Sequence, residues 1–439
     1  MITLQERVHA APKLDEWQLD KLHQVFRVRR GNKNTGMKND NLLSLSYGRI
    51  VEKDIDTADG LLPENFEGYQ IVDPGNIILR LTDLQNDKRS LRQGLVTQRG
   101  IITSAYDAVE VQRDNDPRFW FYSLLALDLA KHYYSLGGGV RQSVKLADFP
   151  NDWVYRPDLA TQRQIADFLD RETARIDLLI EKKQRLVALL GERLSHKIRD
   201  LVTRGVSDNP VLVASGLYWC PLLPDHWQVR KGFHLGRIIG SSSGEETDAA
   251  EGTVPYVKVN DLNSCDGGKL LETKAAFRPH SQLQGPRKDF LVFPKRGAAI
   301  FTNKVAVSPK NSAIDPNLMG WVISDDHVLD YFMWVLKTRT LDNLADVSTV
   351  PQINNKHIYP ERFPVPPRAE QTGIVEEIRK QRSLSNTLSG QTQASVDRLK
   401  EYRSALITAA VTGQIDVQTY GKSGTVDRRL DAIQEEIEA

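Results

Sequence analysis

The chain has 439 residues, with 58 Lys and Arg against 57 Asp and Glu, so its formal net charge is +1. That balance excludes a general polycation, and any basic surface for nucleic acid must be local. Apolar content of 40%, charged content of 26% and only two cysteines (Cys220 and Cys265) fit a globular protein without a disulfide framework or a zinc site built from cysteine.

At this length two or three domains are expected, each able to bury a core. The most apolar run, Phe119 to Ala130, is too short for a bilayer and contains Asp128. The opening MITLQERVHAAPKLDEW does not read as a signal peptide, so the expected location is the cytoplasm, with no membrane partner.

Residues 1–155 read as a first mixed α/β domain. Short apolar runs broken by turn signals predict strands at Tyr69 to Val72, Asn76 to Leu79 and within Gly94 to Ala105, with Asp73-Pro74-Gly75 as a turn. Phe119 to Tyr134 reads as a helix ending before Gly137-Gly138-Gly139. Two basic runs lack any acid: Arg27 to Lys38 (RVRRGNKNTGMK) and Lys88 to Arg99 (KRSLRQGLVTQR). Either run alone is most simply a solvated surface. Two in one domain, with glycine and amides interspersed, point to loops that neutralise phosphates while Arg, Asn and Gln reach base edges. The candidates are Arg27, Arg29, Arg30, Lys33, Lys38, Lys88, Arg89, Arg92, Gln98 and Arg99, with Gln142 beyond them.

Residues 156–206 carry the first long helix, from Asp158 to Arg204. It has no proline, one glycine (Gly191), Pro157 before its start and Gly205 where a left-handed cap is wanted. Alternating steps of four and three give an apolar seam at Ile165, Leu169, Ile176, Leu179, Leu186 and Leu190, interrupted by Glu172 and Lys183. Beyond Leu190 the seam drifts to Leu194 and Ile198, which locally unwinds a supercoil. At 1.5 Å per residue the element is ~70 Å long and needs a partner helix.

Residues 207–365 form the second domain. Val254 to Asp261 reads as a strand running into a polar loop that holds Lys258 and Asn260. Lys295 to Lys310 (KRGAAIFTNKVAVSPK) is again acid-free and contributes Lys295, Arg296, Asn303 and Lys304. Val350 to Lys356 (VPQINNK) adds Gln352, Asn354, Asn355 and Lys356, matching Val140-Arg141-Gln142-Ser143 of the first domain. Amides suit adenine N6 and N7, although turn capping is their commoner use in loops. Residues 366–413 carry the second long helix, with a seam at Ile374, Ile378, Leu388, Leu399, Tyr402 and Leu406 and polar layers at Gln381 and Thr392. In the tail, residues 414–439, Leu430, Ile433 and Ile437 predict a short helix over Val426 to Glu438.

The two halves are a repeat. An offset of 209 takes Ile165 to Ile374, Gln162 to Gln371, Leu190 to Leu399 and Val202-Thr203 to Val411-Thr412. An offset of 210 takes Trp17-Gln18 to Trp227-Gln228 and Gln142 to Gln352. Duplication predicts two α/β domains joined by two long helices. Because the chain must travel back through a whole domain before the second helix begins, an antiparallel coiled coil with pseudo-two-fold symmetry is expected, with parallel packing left open by the sequence.

Two variable segments are each followed by a long helix. The second helix opens with Pro-Arg-Ala-Glu-Gln (Pro367 to Gln371) and ends with Ala-Val-Thr-Gly (Ala410 to Gly413). With Leu-Pro-Asp-His-Trp (Leu223 to Trp227), these features resemble the specificity subunit of type I restriction–modification systems, from about Trp17 to Val417. The first helix departs by lacking the glutamate before Gln162. The resemblance implies two target-recognition domains, each reading one half of a bipartite site in double-stranded DNA, with the helices setting the spacer. It also implies two modification subunits that carry S-adenosylmethionine and methylate adenine N6, and restriction subunits that cut DNA using ATP and Mg. This chain would then hold no cofactor or metal and no catalytic residue.

The motif search agrees with that division of labour. There is no Asp/Asn-Pro-Pro-aromatic methylase motif, no His-Glu-x-x-His and no convincing nuclease pattern. Gly421-Lys422-Ser423 lacks the earlier glycine of a phosphate loop, since position 416 is Asp416. Two alternatives stay open: a stand-alone coiled-coil DNA-binding protein with a regulatory or structural role, and a remnant of a fused methylase, against which the missing motif counts.

Overall fold

The computed structural model describes residues 3, 6, 17–56, 63, 65–82, 91–112, 114–136, 145–146, 152–241, 246–248, 254–266, 268–270, 272–277, 286–346 and 350–435. The chain forms two compact units, one from residues 1–186 with 391–439 and one from residues 187–390. Each long helix crosses from one unit to the other. They span Leu159–Arg204 and Arg368–Val411, as their composition predicts.

In the first unit Gln18–Lys21 pairs antiparallel with Trp153–Arg156, the strand that leads into the first long helix. Two four-stranded sheets follow. One has the order Phe26–Val28, Asp107–Val111, Ile77–Leu79, Gln93–Leu95, and the other Arg49–Lys53, Leu42–Ser46, Gly100–Ile102, Gln70–Val72. The helix Pro117–Leu129 is apolar almost all round and is buried accordingly.

The second unit repeats this plan. Gln228–Lys231 pairs with Arg362–Val365 ahead of the second long helix, and Leu329–Arg339 takes the place of Pro117–Leu129. Its main sheet has six strands, in the order Gly236–Ile239, Leu318–Ile323, Phe290–Pro294, Ala306–Ser308, Lys269–Leu270, Cys265–Asp266.

The repeat extends to single hydrogen bonds. Gln162 donates to Pro157 O at 2.8 Å and accepts the Asp116 N–H at 2.9 Å. Gln371 donates to Pro366 O at 2.9 Å and accepts the Val328 N–H at 2.8 Å. Both amides are buried, and each ties the start of a long helix to the start of the helix packed on it.

The helices pack antiparallel, as the core of each unit shows. In the first unit Ile165, Leu169 and Ile176, near the start of the first long helix, share a core with Leu399, Leu406 and Ile407, near the end of the second. In the second unit Leu201 and Val202, at the end of the first, share a core with Ile374 and Ile378, at the start of the second. Burying each such side chain contributes about 1.5–3 kcal/mol.

Burial follows the expected seam at these positions and departs from it towards the middle. Leu179, Leu190, Leu388 and Tyr402 are half-buried, and Leu186 is 45% exposed. From Ile165 to Leu186 is three heptads. A straight helix drifts ~20° per heptad against a 3.5-residue repeat, so Leu186 rotates off the packed face.

The tail carries the expected helix as Thr425–Glu435, preceded by a second short helix, Val417–Lys422.

Each long helix ends on a left-handed glycine, Gly205 at φ 80° and Gly413 at φ 70°. A Cβ on Gly205 would come within 2.5 Å of Glu370 Oε1. Glu370 Oε2 accepts from Trp227 Nε1 at 3.1 Å and lies 2.9 Å from His226 Nε2. The glutamate missing from the first copy is replaced by Thr161, whose hydroxyl donates to Asp158 at 2.7 Å.

The Glu370 carboxylate raises the His226 pKa above its ordinary value. A raised histidine contributes stability that is fully present below the unfolded value of ~6.5 and is lost as pH rises through the folded value. Glu370→Gln is therefore expected to lower the melting temperature more at about pH 6 than at about pH 8.5. The difference is small because the His226 ring is half exposed. Equal losses at the two pH values would remove His226 from this account.

Candidate nucleic-acid interface

In the first unit the basic loop between Phe26–Val28 and Leu42–Ser46 is built around asparagines. Asn34 is fully buried. Its Nδ2 donates to Asn39 O at 2.9 Å, and its Oδ1 accepts the Asn39 N–H at 3.0 Å. Asn32 donates to Ile71 O at 2.8 Å, and Asn41 donates to Arg99 O at 2.8 Å. These bonds draw the loop against the strand Gln70–Val72 and the bend that leads into Gly100–Ile102.

On the resulting surface Arg27, Arg30, Lys33 and Lys38 are exposed. None of the four has a side-chain hydrogen bond or ion pair among the described residues. A cleft of about 530 Å³ opens beside Arg27 and Arg30, with His23, Gln112 and the apolar Leu22 and Phe26 in its lining.

The remaining candidates of this unit fall out differently. Arg29 and Arg99 converge on the carboxylate of Asp73, at 2.6 and 3.2 Å. Gln98 donates to Glu52. Arg92 is a correction. It is fully buried, its Nη1 donates to Thr82 O at 3.2 Å, and its backbone N–H donates to Asp128 Oδ2 at 2.6 Å. It sits one residue ahead of the buried strand Gln93–Leu95, so it serves the core of this unit. Lys88, Arg89 and Gln142 lie outside the described residues.

In the second unit the two candidate loops lie side by side. Gly297 N–H donates to Pro351 O at 2.9 Å, Ile353 N–H donates to Lys295 O at 2.9 Å, and Arg296 bridges Gln352. Lys295 and Arg296 have no side-chain partner among the described residues, and Asn355 is exposed beside them. Phe301 stands 60% exposed on the same basic loop. Sequence reasoning passed over it because an isolated aromatic carries no pattern.

Lys356 pairs with Asp346 at 2.7 Å and holds that carboxylate below its usual range. Lys304 donates to Asn263. Lys258 lies 5.7 Å from the Tyr256 ring, and Asn260 is exposed in the 3-10 turn Val259–Ser264.

One asparagine is a correction. Asn303 adopts φ 49°, donates to Lys337 O at 2.8 Å and accepts from Leu341 N–H at 3.1 Å, so its amide is used to hold a left-handed turn. Asn354 is exposed at the start of the short helix Asn355–Ile358, its backbone N–H donating to His357 Nδ1 at 2.9 Å.

The geometry supplies, in each unit, exposed cations that have no side-chain partner among the described residues: Arg27, Arg30, Lys33 and Lys38 on or beside a loop pinned by Asn34, and Arg296 beside the exposed Asn355. Among the described residues no group of His, Cys, Asp and Glu could hold a metal ion, and no helix is long and apolar enough to cross a membrane.

No protein-family model matches the sequence, and no curated protein matches it either. Solved structures do match. A chain from a structural study of complex assembly and conformational transition of the type I R-M system superposes with a TM-score of 0.68 at 15% identity, covering 93% of this chain and 100% of that one. The HsdS subunit from Thermoanaerobacter tengcongensis gives 0.52 at 15% identity, over 92% and 98%.

This chain has the fold of a type I HsdS subunit. The paired long helices and the two α/β units are the features its sequence repeat predicts. At 15% identity the likeness lies in the fold.

Proposed function

We propose that this chain is the sequence-specific DNA-recognition subunit of a type I restriction–modification complex. Each α/β unit reads one half of a bipartite target in double-stranded DNA, and the long helices set the spacer and dock two modification subunits. Restriction subunits complete the assembly. Methylation of adenine N6 and ATP-dependent cleavage belong to those partners, which hold S-adenosylmethionine, ATP and Mg, and this chain supplies specificity without catalysis.

The observation that supports this most is the pairing of fold and surface. Arg27, Arg30, Lys33 and Lys38 in one unit, and Lys295 and Arg296 in the other, are cations without partners among the described residues, on a fold shared with HsdS. Such cations release counterions from phosphates, and the neighbouring amides can reach base edges.

Deleting this chain should erase one bipartite adenine-methylation motif from the host genome, read by methylome sequencing. An unchanged methylome would sink the proposal. In that case tight binding of the purified chain alone to a specific site would favour a stand-alone DNA-binding protein.

A further inference from the structure

Arg99 and Arg29 share one carboxylate but are placed differently. Arg29 Nη1 meets Asp73 Oδ2 at 2.6 Å and Asn76 Oδ1 at 2.7 Å, and its side chain is only 23% exposed. Arg99 Nη1 meets Asp73 Oδ1 at 3.2 Å, and its side chain is 62% exposed. The backbone beneath Arg99 is fixed, because Asn41 donates to its carbonyl. A Cβ on the following Gly100 would also come within 2.6 Å of Asn41 O, so the chain there is held close. A guanidinium has five N–H donors in a rigid fork, and the contact with Asp73 is an ion pair through Nη1 alone.

We propose that Arg99 reads a guanine in the half-site recognised by the first unit, with Asp73 as its positioning residue. This rests on the DNA-recognition reading above and deepens it by naming a base. The fork suits two acceptors set side by side, and guanine O6 and N7 offer that pair in the major groove. A phosphate is the competing ligand for the same donors, and the surroundings disfavour it. The Asp73 carboxylate offsets part of the positive charge that a phosphate contact depends on, and it would repel phosphate oxygens brought within hydrogen-bonding distance. Arg30, Lys33 and Lys38, exposed on the adjacent loop without a carboxylate partner among the described residues, are the better phosphate contacts. The ion pair also restricts the Arg99 rotamers before binding, which lowers the ordering cost on contact.

Arg99→Lys separates the two ligands, since lysine keeps the charge and can still approach Asp73 but has no two-pronged donor set. The experiment uses the full-length chain assembled with its modification subunits. Its probes are duplex oligonucleotides carrying the methylated motif, with one position at a time randomised. For both Arg99→Lys and Arg99→Ala, the guanine preference at one position of one half-site should fall about 10- to 100-fold, with preferences elsewhere unchanged.

Unchanged preferences in Arg99→Lys would overturn the proposal, and so would an even weakening at every position with the melting temperature preserved. A wild-type assembly with no preference at any position would be a different result, overturning the DNA-recognition reading and this inference together.

Discussion

Leu169→Ala is expected to destabilise the unit formed by residues 1–186 and 391–439 by about 2–5 kcal/mol. Leu169 is fully buried in a core that joins the start of the first long helix to Leu399, Leu406 and Ile407 of the second. Truncation removes the transfer free energy of the lost atoms and leaves a cavity that two long, rigid helices can close only partly. At about 2–4 °C per kcal/mol for a unit of this size, the melting temperature should fall by roughly 4–20 °C. Leu186→Ala removes the same atoms at a position 45% exposed and should change stability by no more than about 0.5 kcal/mol. Scanning calorimetry of the two variants makes the comparison. Equal shifts would mean that the packed face of the helix is wrongly assigned.

Gln162→Leu should cost a similar amount by a different route. The substitution keeps most of the side-chain volume but strands the Asp116 N–H and the Pro157 carbonyl, both bonded to the amide in a buried setting. Each stranded group costs about 1–3 kcal/mol, so the pair should cost roughly 2–6 kcal/mol. The equivalent Gln371→Leu strands the Val328 N–H and the Pro366 carbonyl and should behave alike. Amide hydrogen exchange gives a local readout, because the Asp116 amide should lose protection in the first variant and the Val328 amide in the second. Retained protection at both would show that these glutamines do not hold the helix junctions.

The parts of this molecule that were legible in advance are those governed by period and by local chemistry. A run of strong helix formers bounded by Pro157 and Gly205 defines its helix almost to the residue, and the offset from Gln162 to Gln371 marked a junction whose bonds the structure repeats. The seam was legible only over its outer turns, because a 3.5-residue pattern and a straight helix part company by Leu186.

The surface was harder to read, for a physical reason. A basic or amide side chain has the same sequence signature whether it faces solvent, caps a turn or neutralises a carboxylate distant in the chain. Asn303 is spent on a turn, and Arg92 is fully buried. Asp73 was read only as part of a turn, yet it orients two arginines, one of them 44 residues away. No local pattern carries that pairing, which exists only once the strands Gln70–Val72 and Gly100–Ile102 lie side by side.

The division of the units sets an order on biosynthesis. The unit of residues 187–390 is one uninterrupted stretch of chain, so it can complete its core as soon as that stretch has left the ribosome. The other unit cannot. Ile165, Leu169 and Ile176 wait for Leu399, Leu406 and Ile407 to cover them. At about 5–20 residues per second, translation from residue 186 to residue 399 takes roughly 10–40 s, during which a finished helix face has no lid. The half of the molecule synthesised first is therefore the half that matures last, and through that interval its uncovered leucines and isoleucines are exposed to chaperones and to the same stripe on neighbouring nascent chains.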